Sequence, residues 1–202
     1  MKLGTLRVAL VMAILLPAAG RLSAAEARRV MNIAMEDQFR KRHETVAMRG
    51  EVVALVYAER RGAEASRDLG RRLHLRFHPE HHTAEPDGRT AGEPATNVRV
   101  IAVACLGEIP RPFHGIARSR FRSDSPSMPV WLDFDDTMRR NFGLTAGVPN
   151  IAVLDAAGRL HSVHKGAFRG DELEQLAAAI NEACALPREP RAAAVDDGRL
   201  DR

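Results

Sequence analysis

Cysteine is almost missing from this chain: its 202 residues hold two, Cys105 and Cys184. Two thiols are too few for a disulfide scaffold, so a packed apolar core must hold the fold. They also lie far apart in sequence, which excludes any Cys-x-x-Cys pair on one helical turn. Lysine is scarce too, with only Lys2, Lys41 and Lys165. The formal charge of +4 is therefore an arginine charge. Apart from "RPFHGIARSRFR" those arginines are interspersed with acids, the pattern of a solvated mixed-charge surface and not of a nucleic-acid groove. No internal repeat is visible. The apolar run "VALVMAILLPAAG" behind the basic head "MKLGTLR" is too short to span a bilayer well. It reads as a secretory signal over residues 1–25, with cleavage after Ala24 or near Ala27 among small residues. The mature chain is then expected in the periplasm or outside the cell, with no stable membrane span.

What is present is apolar residue in ordinary amount, 45%, enough for one domain over residues 26–186. Two short strands with a turn between them are expected near Met35–Phe39 and His43–Ala47. "EVVALVYA" is a β-rich apolar run of the kind buried in parallel sheets. From Ala63 to about His78, Leu69, Leu73 and Phe77 recur at helical spacing. A loop rich in Pro, Gly and Thr follows, then a second strand "VRVIAVAC", a short helix after Pro112 and a third strand "PVWLDF". "DDTMRRNFGL" has the acidic start, late arginines and glycine end of a helix. "NIAVLD" and "LHSVHKG" form a hairpin. The closing helix is N-capped by Asp171 and carries Leu173, Leu176, Ala177, Ile180 and Cys184 on one face. Residues 187–202 lack an apolar period and read as a disordered tail. The order β-α-β-α-β-α-β-β-α predicts an α/β three-layer sandwich, a mixed sheet with helices on both faces.

Three passages carry a family resemblance: the strand–turn–helix "VVALVYAERRGAEASRDL", the passage "PVWLDFDDTMRRNFGLTAGVPNIAVLDAAGRL", and "KGAFRGDELEQLAAAI". Together they resemble the thioredoxin-like superfamily. In layout they are most similar to exported redoxins and thiol-disulfide oxidoreductases related to peroxiredoxins. The resemblance implies a thioredoxin-like fold, with a cis peptide bond at Val148–Pro149 facing the redox turn. It also places the two redox cysteines at positions 61 and 64, where this chain has Arg61 and Glu64, with Gly62 and Ala63 between. Neither side chain attacks a disulfide, so the redox motif is degenerate. Without thiols, that turn offers a binding groove of Arg60, Arg61, Gly62, Glu64, Val148 and Pro149, fitted to a protein or peptide partner. No cofactor is implied.

Other residues could carry chemistry. Cys105 ends a strand beside "VVALVYA", within reach of Arg60 or Arg61, which would lower its pKa and make it the nucleophile of a one-cysteine redoxin. A small buried core residue is the plainer reading. Cys184 reads as helix packing, and a Cys105–Cys184 disulfide is not expected. His74, His78, His81 and His82 have metal-ligand spacing, yet a solvated helix end leading into a polar loop explains them and no metal is assigned. Asp133, Asp135 and Asp136 read as loop and helix cap before they read as a cation site. The sequence thus supports a non-catalytic binding or accessory protein, with a Cys105 redoxin and a histidine metal-binding protein as alternatives.

Overall fold

The structure, a computed structural model, describes residues 30–78 and 97–186. The signal segment, the loop holding His81 and His82, and the tail lie outside the described residues. Seven strands and four α-helices are present among them: β1 (Ala34–Asp37), β2 (Arg42–Glu44), β3 (Val52–Ala58), α1 (Ala63–Phe77), β4 (Val98–Cys105), α2 (His114–Asp124), β5 (Trp131–Asp133), α3 (Thr137–Phe142), β6 (Asn150–Leu154), β7 (Leu160–Lys165) and α4 (Asp171–Ala185). They form one sheet in the order β2-β1-β5-β4-β3-β6-β7. β3, β4 and β5 are mutually parallel. β6 runs antiparallel to β3, and β7 antiparallel to β6. The expected element order and the directions of β3 to β7 are found, but the strand expected near His43–Ala47 spans Arg42–Glu44 and gives way to a 3-10 turn at Thr45–Met48.

The period-two alternation of β3 splits its side chains between two cores. Val52, Ala54 and Val56 meet Leu69, Leu73 and Phe77 of α1 and Leu176, Ala177 and Ile180 of α4. On the opposite face Val53, Leu55 and Tyr57 pack with Met138 and Phe142 of α3. The sheet is thereby covered on both sides, as its continuous apolar strands require. Leu69, Leu73, Leu176 and Ile180 are fully buried, and each is the kind of side chain whose burial contributes about 1.5–3 kcal/mol.

Asp171 is not the N-cap. It is the first residue of α4, and Gly170, at φ 51°, holds the cap position with no side-chain bond. The physical reason is the turn: a left-handed backbone suits glycine, and Asp171, Glu172 and Glu174 instead oppose the helix dipole from within the first turn.

The outer flank is built differently. β1 and β2 turn back through Arg40, at φ 66°, and the buried Asp37 holds that turn by accepting the N–H groups of Phe39 and Lys41. Its second oxygen lies 2.8 Å from His43 Nε2, and the His43 ring stacks on Trp131 at 5.4 Å. Burial alone would raise the Asp37 carboxyl, but the hydrogen bonds from His43, Lys41 and Phe39 hold it below its usual value. Gln38 is fully buried. Its Nε2 donates to the carbonyls of Ser125 and Met128, and its Oε1 accepts the Val130 N–H. α2 has no buried residue.

Candidate functional site

The two stretches expected to form the groove, Glu59–Glu64 and the loop at Val148–Pro149, come together. β3 delivers Glu59–Glu64 at its carboxyl end, where a single 3-10 turn at Arg60–Gly62 leads into α1. The loop before β6 lies against it: a Cβ on Gly62 would stand 2.8 Å from the Val148 carbonyl oxygen. Only glycine lets the two backbones approach so closely. Glu59 adds a second tie, its Oε1 accepting the Gly147 N–H at 3.0 Å. Pro149, buried, thus lies beside the Arg61–Glu64 turn.

The expected cis bond at Val148–Pro149 is not there; no peptide bond among the described residues is cis. The loop closes by other means. Gly147 takes φ 78°, and the fully buried Asn150 accepts the Thr145 N–H while its Nδ2 donates to the carbonyls of Thr145 and Val148. With the chain reversed by a glycine and an amide clamp, the proline keeps the trans form, which is favoured by about 0.5–1 kcal/mol. The clamping roles of Asn150 and Glu59 follow from the tertiary fold and not from their sequence neighbours. The available signal was an amide opening an otherwise apolar strand, "NIAVL".

Arg60 and Arg61 are exposed on the rim, as is Glu64. No ion pair joins Arg61 to Glu64 among the described residues. The backbone N–H groups of the first turn of α1 have no side-chain cap, so this end of the helix carries partial positive charge beside two guanidinium groups.

Cys105 does not have the environment of a reactive thiol. It is buried in the core under α3, and burial pushes its thiol up from 9.0 to about 12. The Asp133 and Asp136 carboxylates push the same way, Arg139 opposes them and Glu59 adds to them. Arg60 and Arg61, expected to lower it, are not among its partners. The reason is the pleat: Cys105 faces the α3 core and sits opposite Asp133 in the β4–β5 register. Cys184 packs in the other core, under α4. The sheet separates the two cysteines, and they are unbridged.

Asp133 is explained by capping. Its two oxygens accept the N–H groups of Thr137 and Met138 at the start of α3, both at 2.8 Å. Asp136 takes a left-handed φ of 54°, with its carboxylate over Gly107, where a Cβ would come within 2.3 Å of it. His74 and His78 stand with their rings 4.9 Å apart, and His78 Nε2 meets the Val98 carbonyl at 2.8 Å. Among the described residues no group of three metal-ligating side chains converges, and no helix is long and apolar enough to cross a membrane.

No protein-family profile and no curated protein matches the sequence. Solved structures do match. A protein described as the thiol:disulfide interchange protein DsbE from Chlorobium tepidum shares 16% identity, with TM-score 0.54 over 79% of this chain and 97% of its own. The exposed lipoprotein thioredoxin Etrx1 of Streptococcus pneumoniae shares 16%, with TM-score 0.53 over 75% and 99%. A DsbF homologue from Corynebacterium diphtheriae shares 16%, with TM-score 0.50 over 89% and 99%. The fold of this chain is thioredoxin-like, an α/β sandwich around a mixed sheet.

Proposed function

We propose that this chain is an exported thioredoxin-fold protein that binds instead of exchanging disulfides. Its rim at Glu59–Glu64, Cys105–Ile109 and Gly147–Asn150 would hold an acidic, carboxylate-bearing segment of a protein partner beside Pro149. The observation that carries this reading is the pair Arg60 and Arg61. Both are exposed at the uncapped start of α1, and neither forms an ion pair among the described residues. Guanidinium groups at a helix N-terminus suit carboxylates, which they take in bidentate geometry. Disulfide exchange is opposed by chemistry: positions 61 and 64 hold no thiol, and the Cys105 alternative needs a thiolate that burial and two aspartates disfavour. Export rests on the basic head and short apolar run of residues 1–25.

Anisotropy titrations with fluorescent extended peptides, rich in Asp and Glu or in Asn and Gln, test the binding claim. The acidic peptide should bind more tightly, and an Arg60→Ala, Arg61→Ala double variant should lose about tenfold of that preference. Equal affinity for the two peptides, or an unchanged preference in the double variant, overturns it. An insulin-reduction assay with dithiothreitol tests the redox claim: wild-type turnover above the reagent blank contradicts it, and its loss in Cys105→Ser would assign that turnover to the one-cysteine alternative.

A further inference from the structure

On the outer flank a cleft of about 350 Å³ opens between β1, the end of β5 and the start of α2, adjoining the Cys105–Ile109 segment. Its charged lining is balanced: Arg42, Arg111 and Arg118 face Glu36, Asp133 and Asp135. Most of that charge is already used. Arg42 pairs with Glu44. Arg118 pairs with Glu36 and donates to the Asp37 carbonyl. Asp133 is consumed by the two N–H groups of α3. Two charges remain, the Arg111 guanidinium and the Asp135 carboxylate. Neither side chain has a hydrogen bond or ion pair among the described residues, and the two do not close on each other within the 4.0 Å of an ion pair.

An aromatic pair also lines the cleft. Phe134 stacks on His114 at 3.9 Å with 17° between the planes, and the Arg118 guanidinium lies 5.1 Å from the Phe134 ring centre. His114 is itself held at 3.0 Å from the Ile109 carbonyl. Leu132 and Met35, both buried, add little apolar surface to a lining that is mostly polar. Pockets for small molecules hold about 300–1,000 Å³, combining apolar surface with a few placed polar groups, and this cleft stands at the small end.

We propose that the cleft binds a small zwitterion, a free amino acid or the two ends of a very short peptide, with its carboxylate on Arg111 and its ammonium on Asp135. A plain anion would meet the uncompensated Asp135, and a plain cation the uncompensated Arg111. Only a ligand carrying both charges answers both at once. Arg111 and Asp135 are exposed and their side chains make no hydrogen bond or ion pair among the described residues, so side-chain replacement that keeps their backbone contacts leaves the fold intact.

Calorimetric titration of the full chain with alanyl-alanine, its N-acetyl form and its C-terminal amide tests the proposal. The unblocked dipeptide should bind about tenfold more tightly than either blocked form, the scale of one charged hydrogen bond. Arg111→Gln should bring it down to the affinity of the amide while leaving the amide unchanged, and Asp135→Asn should do the same toward the acetylated form. Equal binding of the three probes, no saturable binding by about 10 mM, or either variant behaving as wild type overturns the assignment. The Arg60→Ala, Arg61→Ala variant should bind the probes normally. If it does not, the ligand sits on the rim and the cleft assignment falls.

Discussion

The centre of the sheet and its outer flank are held together by different physics. β3, β4 and β6 lie between α1 and α4 on one side and α3 on the other, and their buried contacts are almost wholly apolar. β1 and β5 reach into that core with Met35 and Trp131, but β1, β2, β5 and α2 are joined in addition by directed polar contacts: the Gln38 bonds, the Asp37–His43 pair and the Arg118–Glu36 pair. Burial of apolar area is non-directional and tolerates small shifts, whereas a buried amide or carboxylate is either fully partnered or costly. The centre therefore supplies stability. The flank fixes geometry, and the cleft opens there.

Truncation inside the centre should separate the two most strongly. Ile180→Ala empties a fully buried position between α4 and the sheet and should lower the unfolding free energy by about 2–5 kcal/mol, read from urea denaturation. A loss below about 1 kcal/mol would mean that the centre is not the close-packed body described.

On the flank, Gln38→Ala should cost about 1–3 kcal/mol, because the partly buried Ser125 carbonyl and Val130 N–H lose this side chain, while the Met128 carbonyl keeps the Ser125 hydroxyl. Hydrogen exchange gives the sharper reading. Amides of β1, β2 and α2 should exchange faster while those of α1 and α4 keep their protection, since local opening of the flank need not unfold the centre. Uniform acceleration across the chain would show one cooperative unit and erase the distinction.

Cys105 lies on the border between the regions and reports through pH. Its folded value of about 12 lies above the 9.0 of an open chain. Below pH 9 both states keep the proton and the group is silent. Between about pH 9 and 12 the unfolded thiol ionises while the folded one does not, so stability falls as pH rises. Cys105→Ala should flatten that alkaline slope, and a slope unchanged by the substitution would show that the thiol is not buried as described. Native alkylation near neutral pH should label Cys184, partly buried, before Cys105.

The smallest effect belongs to α2. Ile116, 67% exposed, should tolerate replacement by alanine within about 0.5 kcal/mol, despite the chemical likeness to Ile180. A large loss at Ile116 would show that α2 is packed in solution.

This contrast also sets what could be read from sequence. The centre was legible because its signals are local: the apolar run of β3, the spacing of Leu69, Leu73 and Phe77, and the period of α4 each lie within about fifteen residues. The rim was legible as far as strand ends can be placed by topology. What failed depended on direction or distance. That Cys105 points under α3, beside Asp133 and Asp136, follows from register with β5 and not from its neighbours in sequence. The trans Pro149 follows from Asn150 clamping the loop. The cleft joins β1 to residues near 111 and 135 and leaves no mark in any single window.

Gln38 and the Val130 amide it holds are 92 positions apart, and this separation has a consequence for how the chain is made. During synthesis β1 and β2 leave the ribosome long before β5, the strand that joins this pair to the rest of the described sheet. A lone two-stranded hairpin is marginal in water at best. The first-made piece of the described sheet is thus among the last to be fastened, waiting through the synthesis of β3, α1, β4 and α2. Closing so wide a loop costs entropy that must be spent before the amide's contacts return anything. A chain interrupted before residue 131 would leave β1 without its neighbour, its apolar Met35 and Ile33 uncovered and open to chaperone or protease.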